Sequence, residues 1–293
     1  MRRPISRILL LALAPLGCGA VAPPPSLMPS AAGALERLRA TAQCEVAIQA
    51  SAKIDHFGEH GRLRGDLLMF VAVPARIRLD AVSPFGATMA TLTSDGHKFA
   101  LADFREKRFL TGPASACNIA RLTSVPVPPN VLVDLLRGQA PVLKHDPSAG
   151  QLSWSSKGYY VLTLPSTRDA IEELHVAPRP DDWGKPWAEQ RMRLLDVTVR
   201  QYGGVLYHAE LGGHAGAAMG KERVDELGME PAIPPSGPAC DAEIPKHIHV
   251  EVPEPNEDVM FRYVEVTWNP PLPEGTFTQA PPAGMPVEAS PCE

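Results

Sequence analysis

Few side chains in this sequence have the spacing of a reactive centre. His247 and His249 flank Ile248, and i, i+2 spacing on a strand sets two imidazoles on one face, an arrangement metal sites use. No third ligand stands beside them in sequence, and neither Cys-x-x-Cys nor His-Glu-x-x-His occurs, so a solvated pair on a wet strand face competes with the metal reading. The chain has five cysteines. Cys18 stands apart near the start. Cys44, Cys117, Cys240 and Cys292 form an even set, which suits two disulfides in an exported chain and allows three pairings. Cys44–Cys117 and Cys240–Cys292 are the expected pairs, the second tying down the C-terminus for about 4 kcal/mol. No histidine can be named as partner to a catalytic thiol. Gly-x-Ser-x-Gly, Gly-x-Gly-x-x-Gly and phosphate-loop motifs are absent. No catalytic residue, metal or cofactor is therefore assigned, and a cell-envelope enzyme is the least favoured class.

The N-terminus carries an address. Arg2, Arg3 and Arg7 precede the apolar run Ile8 to Leu16, which is far short of the about 20 residues a membrane-spanning helix needs. This is the anatomy of an export signal covering residues 1–17. Its removal takes three arginines with it and leaves 25 basic against 33 acidic residues, a net charge of −8. Such a balance argues against nucleic acid as a partner. Residues 18–33 are rich in Pro, Ala, Ser and Gly, carry no charge and predict a flexible tether.

The elements that would position any site are strands. Residues 61–112 contain five apolar runs broken by Val73-Pro74, Pro84-Phe85-Gly86, Asp95-Gly96 and Arg105-Glu106, which predicts an antiparallel meander. Ile77, Leu79 and Ala81 alternate with Arg76, Arg78 and Asp80, so one face is buried and the other wet. A first strand is expected over Cys44–Asp55 and a helix over Ala34–Ala42. Short helices follow the meander at 115–123, with Ser115 as N-cap, and at 128–137, with Pro129 at its start and Gly138 just beyond its end. Extended segments then resume at 141–146, 151–156, 159–165, 170–177, 191–202, 205–211, 246–252 and 259–268. Residues 178–190 and 212–243 are expected as loops, and residues 286–293 as a frayed tail.

In combination, Val82-Ser-Pro-Phe-Gly86, the run Leu132 to Gly138 and the segment Asn269 to Phe277, set in this strand order, resemble the LolA/LolB superfamily of periplasmic lipoprotein carriers and receptors. The resemblance covers about residues 36–285. Gly17-Cys18-Gly19 likewise resembles a bacterial lipoprotein signal with Cys18 acylated, although Leu16 lies one place later than the usual motif puts it. An ordinary secretory signal cleaved near Ala20 or Ala22 is the other reading. The resemblance implies a mainly β fold: a curved antiparallel half-barrel over residues 34–285, with the short helices across its open mouth. It further implies an outer-membrane lipoprotein facing the periplasm, a monomer that takes acyl chains of lipoproteins or other lipids, by way of a soluble periplasmic carrier.

Two sets of residues carry that expectation. Leu67, Met69, Val71, Ile77, Leu79, Phe99 and Leu101 would line the acyl cavity, or else form an ordinary core, since apolar strand residues usually do. Phe85 sits in a tight turn between Pro84 and Gly86. By resemblance to the receptor branch, it would dip into the membrane; alternatively it folds back and caps the barrel end. An accessory lipoprotein with a packed barrel and no cargo is the competing function.

Overall fold

The computed structural model describes residues 20–59, 61–290 and 292. Helix α1 (Ala31–Ala42) opens the fold, capped by Ser30, whose side chain accepts from the Gly33 amide. The meander follows as β1 (Ala47–Gly58), β2 (Gly61–Ala72), β3 (Arg76–Val82), β4 (Thr88–Ser94), β5 (Lys98–Asp103) and β6 (Arg108–Pro113). Helices α2 (Ala116–Thr123) and α3 (Pro129–Leu136) interrupt it. Ser115 Oγ accepts from the Asn118 amide as the expected N-cap. Gly138 ends α3 at φ +76°, a left-handed position where an added Cβ would also run into Pro245.

The chain then lays down β7 (Gln151–Ser155), β8 (Tyr159–Pro165), β9 (Ala170–Pro178), β10 (Met192–Gln201) and β11 (Gly204–Gly212). Three two-residue strands, β12 (Ala215–Gly216), β13 (Ala218–Met219) and β14 (Glu243–Ile244), precede β15 (His247–Val252), β16 (Glu257–Trp268) and β17 (Val287–Ala289). One sheet runs β17-β6-β5-β4-β3-β2-β1-β16-β15-β11-β10-β9-β8-β7, with β13 added beside β16; β12 and β14 pair separately. Pairing is antiparallel except for β13 with β16 and β17 with β6.

The curved half-barrel expected from the sequence is not what forms. Among the described residues no sheet is closed or strongly curled, and β17 and β7 lie at opposite edges of the strand order. Sheet-rich with a minor helical share describes the fold better. The apolar face is covered by other elements instead of by the sheet folding onto itself. α3 packs on β3 and β2, α2 on β4, and α1 on β10. Leu132, Leu135, Leu136 and Ile119 from the covering helices join Ile48, Met69, Ile77, Leu79, Leu92, Val197 and Phe261 in one continuous buried cluster.

Other expectations change for the same reason, that distant segments bring partners to them. Residues 21–33 do not hang free as a tether. The Val21 amide donates to the Ser156 carbonyl at 2.9 Å, Trp154 Nε1 donates to the Val21 carbonyl at 3.1 Å, and Met28 is buried with its amide on the Tyr160 hydroxyl. The tail does not fray: β17 pairs with β6, and Cys292 bonds to Cys117. The disulfides are Cys44–Cys240 and Cys117–Cys292, with Cα separations of 6.2 and 5.8 Å. The expected pairing fails because the fold carries the C-terminus to α2 and the end of the 212–243 excursion to the start of β1. Residues 141–146 form no strand, only a bridge from His145 to Ser166. Residues 178–190 are a built corner, in which buried Asp182 accepts from Arg191 and pairs with Lys185. Arg191 above all holds that carboxyl well below the usual range.

Candidate functional site

Antiparallel order places alternate turns at one end of the sheet. The β1–β2, β3–β4, β5–β6, β8–β9, β10–β11 and β15–β16 connections all fall there. The β1–β2 hairpin reaches as far as the β15–β16 turn beside it, with Phe57 paired to Asp258. On its other side β2 pairs with β3 only from Asp66, so this arm, residues 61–65, runs past the end of β3 by about 16 Å at the usual rise per residue. Beside this arm sits Ser83-Pro84-Phe85-Gly86. The Gly86 amide donates to the Ser83 carbonyl at 2.9 Å and Gly86 takes φ +82°, so the turn is tight and its central side chain finds no neighbouring surface. Phe85 is 97% exposed. It does not cap the end of the sheet.

Phe85 is one of several apolar tips at this end. Phe57 and Leu63 on the projecting arm and Phe104 on the β5–β6 turn are exposed, and so is Tyr202 on the β10–β11 turn. Register sets Phe57 and Leu63 on opposite faces of the arm, since Phe57 stands across from Arg62 and Leu63 across from His56. Cations accompany them. Arg105 and Lys107 flank Glu106 in the Phe104 turn, and Arg62 and Arg64 reach from the arm to Asp55. Arg62, then Arg64, keep that Asp55 carboxyl well below the ordinary range.

The seven expected lining residues do come together, but as core. Leu67, Met69, Val71, Ile77, Leu79, Phe99 and Leu101 are each buried within the main cluster. The helices above them are tied in place. Arg137 Nη2, just past α3, donates to the Glu45 carbonyl, Arg137 Nη1 meets Asp134 at 3.2 Å, and the Tyr263 hydroxyl donates to the Leu136 carbonyl at 2.6 Å. Burial raises the Glu45 carboxyl to about 7, against the opposing pull of Arg137. α2 is fixed by its disulfide to Cys292 and by the Ser290 hydroxyl on Asn118 Oδ1.

Sequence reasoning missed two polar features. Glu172 points inward from β9 and is fully buried; Oε2 accepts from the Leu143 amide at 2.8 Å, and Oε1 has no partner among the described residues. Its position shows in the alternation of β9, where Ala170, Glu172 and Leu174 share the buried face. Asn269 is also fully buried at φ 45°, and its side chain reaches the Val46 and Ala47 amides and the Cys44 and Pro238 carbonyls. It thus pins both ends of the Cys44–Cys240 bridge. His247 and His249 do lie on one outward face, with His249 Nε2 2.9 Å from Asp258. Cys18 lies outside the described residues. No described helix is long and apolar enough to cross a membrane.

No protein-family model and no curated protein matches the chain. Among solved structures, a DUF1329 family protein from Desulfovibrio piger is similar over 86% of this chain and 98% of its own, at 10% identity and TM-score 0.49. A LolA superfamily protein from Nitrosomonas europaea is similar over 84% and 97%, at 11% identity and TM-score 0.46. A domain assigned to outer membrane lipoprotein sorting, from Vibrio parahaemolyticus, is similar over 85% and 95%, at 10% identity and TM-score 0.44. This is a likeness to individual solved structures, too distant to assign the chain to a family. At these values it says nothing of ligand or partner.

Proposed function

We propose that the protein is a non-enzymatic envelope lipoprotein, anchored through Cys18 at the outer membrane, that meets the bilayer with the hairpin end of its sheet and handles acylated lipid or lipoprotein. The observation that carries this reading is the exposure of Phe85 at 97% together with the exposed Phe57, Leu63 and Phe104 on neighbouring tips. Aromatic side chains with cations nearby suit the membrane–water boundary, where the ring enters the interface and the charge stays at headgroup level. An acyl chain would have to enter over β2–β5, where the seven lining residues lie.

A second reading has its own observation. Those seven residues are packed, and both covering helices are tied by polar contacts and a disulfide, which favours a scaffold whose partners dock outside it. One experiment separates the two. The lipid-free soluble domain with Phe85→Glu is floated with anionic vesicles, and the parent domain purified from cells is weighed by native mass spectrometry. The first reading expects Phe85→Glu to lose at least about tenfold in vesicle binding with urea stability unchanged, since a fully exposed ring contributes little to the fold, and expects a lipid to copurify. Unchanged flotation removes the membrane tip. A lipid-free mass removes the acyl site and leaves the scaffold.

A further inference from the structure

The wet face of the sheet carries a second polar arrangement, far from the hairpin tips in character. β10, β11, β15 and β16 are consecutive neighbours. Their register sets Asp196 opposite Glu210, Glu210 opposite His249, His208 opposite Glu251, and Glu251 opposite Asp258. Directly opposed residues share a face, so six ligand-type side chains form one patch. The patch has an approximate two-fold arrangement about the β11–β15 junction. Asp196, His208 and Glu210 on one side answer to Asp258, His249 and Glu251 on the other.

We propose that this patch binds two divalent transition-metal ions of the zinc class, one held by Asp196, His208 and Glu210 and the other by Asp258, His249 and Glu251. Geometry carries the assignment. Within each set, one donor atom per residue lies within 4.8 Å of the other two, close enough for small side-chain rotations to close on an ion at metal–ligand distances of about 2.1 Å. His208 Nε2 stands 2.6 Å from Asp196, and His249 Nε2 stands 2.9 Å from Asp258. Glu251 links the two halves, with one oxygen 3.4 Å from His208 Nδ1 and the other 3.8 Å from His249 Nε2.

Charge gives an independent argument. Asp196 faces Glu210 and Glu251 faces Asp258, two like-charge pairs directly across strands. Such pairs destabilise a sheet; the contacts of His208 with Asp196 and of His249 with Asp258 offset part of this, and a bound cation would offset the rest. An imidazole completes each pair on the diagonal. One imidazole with two carboxylates is the donor set of a borderline ion such as Zn²⁺, Co²⁺ or Mn²⁺; Ca²⁺ prefers oxygen alone and Cu⁺ prefers sulfur. His175 stands behind the first site, with Nδ1 3.6 Å from Asp196, where it would orient a ligating carboxylate.

The test uses the disulfide-bonded chain without an affinity tag, titrated with Zn²⁺ by calorimetry and with Co²⁺ by visible absorption at neutral pH. Two equivalents are expected, with protons released as the metal displaces them. His249→Ala and His208→Ala should each lose one equivalent, and the double variant both. His175→Ala should weaken the first site about tenfold and leave the second alone. Far-UV circular dichroism without metal shows that each variant is folded. Binding of less than one equivalent by the parent chain, or full binding by the folded double variant, overturns the proposal.

Discussion

Replacing Glu172 by Gln should make the protein more stable at pH 8 and leave it nearly unchanged at pH 4.5. Glu172 is fully buried on the inner face of β9, and burial lifts its carboxyl from 4.5 to about 7, with the Leu143 amide pulling weakly the other way. The folded state therefore holds a proton that the unfolded chain gives up. The stability this contributes is complete below the unfolded value of 4.5 and is lost as pH rises through about 7. The interval is worth about 3 kcal/mol, at roughly 1.4 kcal/mol per pH unit. Near the charge, the Tyr207 hydroxyl is buried without a partner among the described residues, and its ionisation is suppressed first by burial and then by Glu172 and Asp134. The amide keeps the shape and the Leu143 contact and removes the charge. Urea unfolding with disulfides intact, followed from pH 4.5 to 8 for both chains, gives the difference directly. Glu45 and Asp134, which burial raises to about 7 and about 6, titrate in both chains and cancel. A stability difference that stays flat across this range, or a Glu172→Gln variant weaker than the parent at pH 8, would refute the argument.

Two further perturbations bear on how the ends of the sheet are held. Asn269→Ala should cost about 2 kcal/mol, because it leaves the buried Ala47 amide and the partly buried backbone groups of residues 44 and 46 short of partners and puts a β-carbon residue without local hydrogen bonding at φ 45°; a loss under about 0.5 kcal/mol in urea unfolding would contradict this. Replacing Cys117 and Cys292 together by Ser opens a loop spanning 175 positions, worth about 5 kcal/mol by chain-entropy reasoning. It should also free β17, so a Glu-specific protease cuts after Glu288 in that variant and not in the parent, and equal protection would show that pairing with β6 suffices.

What could be read from the chain was local. Alternation in β3, with Ile77 and Leu79 buried beside half-buried Arg76, Arg78 and Asp80, follows from the two-residue period of a strand. The turn at Gly86 and the caps at Ser115 and Gly138 follow from backbone preferences acting within a few residues. Full exposure of Phe85 follows from the same local tightness. Three errors share an opposite cause. Residues 21–33 show no period, so nothing in them announces that Val21 and Met28 meet Ser156 and Tyr160. The disulfides join segments 196 and 175 positions apart, and composition carries no trace of such pairings. The half-barrel was what the resemblance implied, and the local segments and strand order that carried it do not decide whether a sheet closes or is covered by helices.

The two candidate sites divide along the same line. Phe85 was visible because a turn displays its central residue whatever the rest of the chain does. The six-residue patch on the outer face was half visible: alternation in β15 sets His247, His249 and Glu251 outward, and it does the same for His208 and Glu210 in β11. Which outward residues face one another depends on β11 lying beside β15, across an excursion of more than thirty residues. A shift of one residue in that register would turn His249 and Glu251 inward and expose Ile248 and Val250. The buried side of the sheet therefore holds the outward residues in place, with Leu211 opposite Ile248 and Ala209 opposite Val250. Packing on one face sets the spacing of the imidazoles and carboxylates on the other, so a core substitution that slipped this register would abolish the patch without touching any of its six residues.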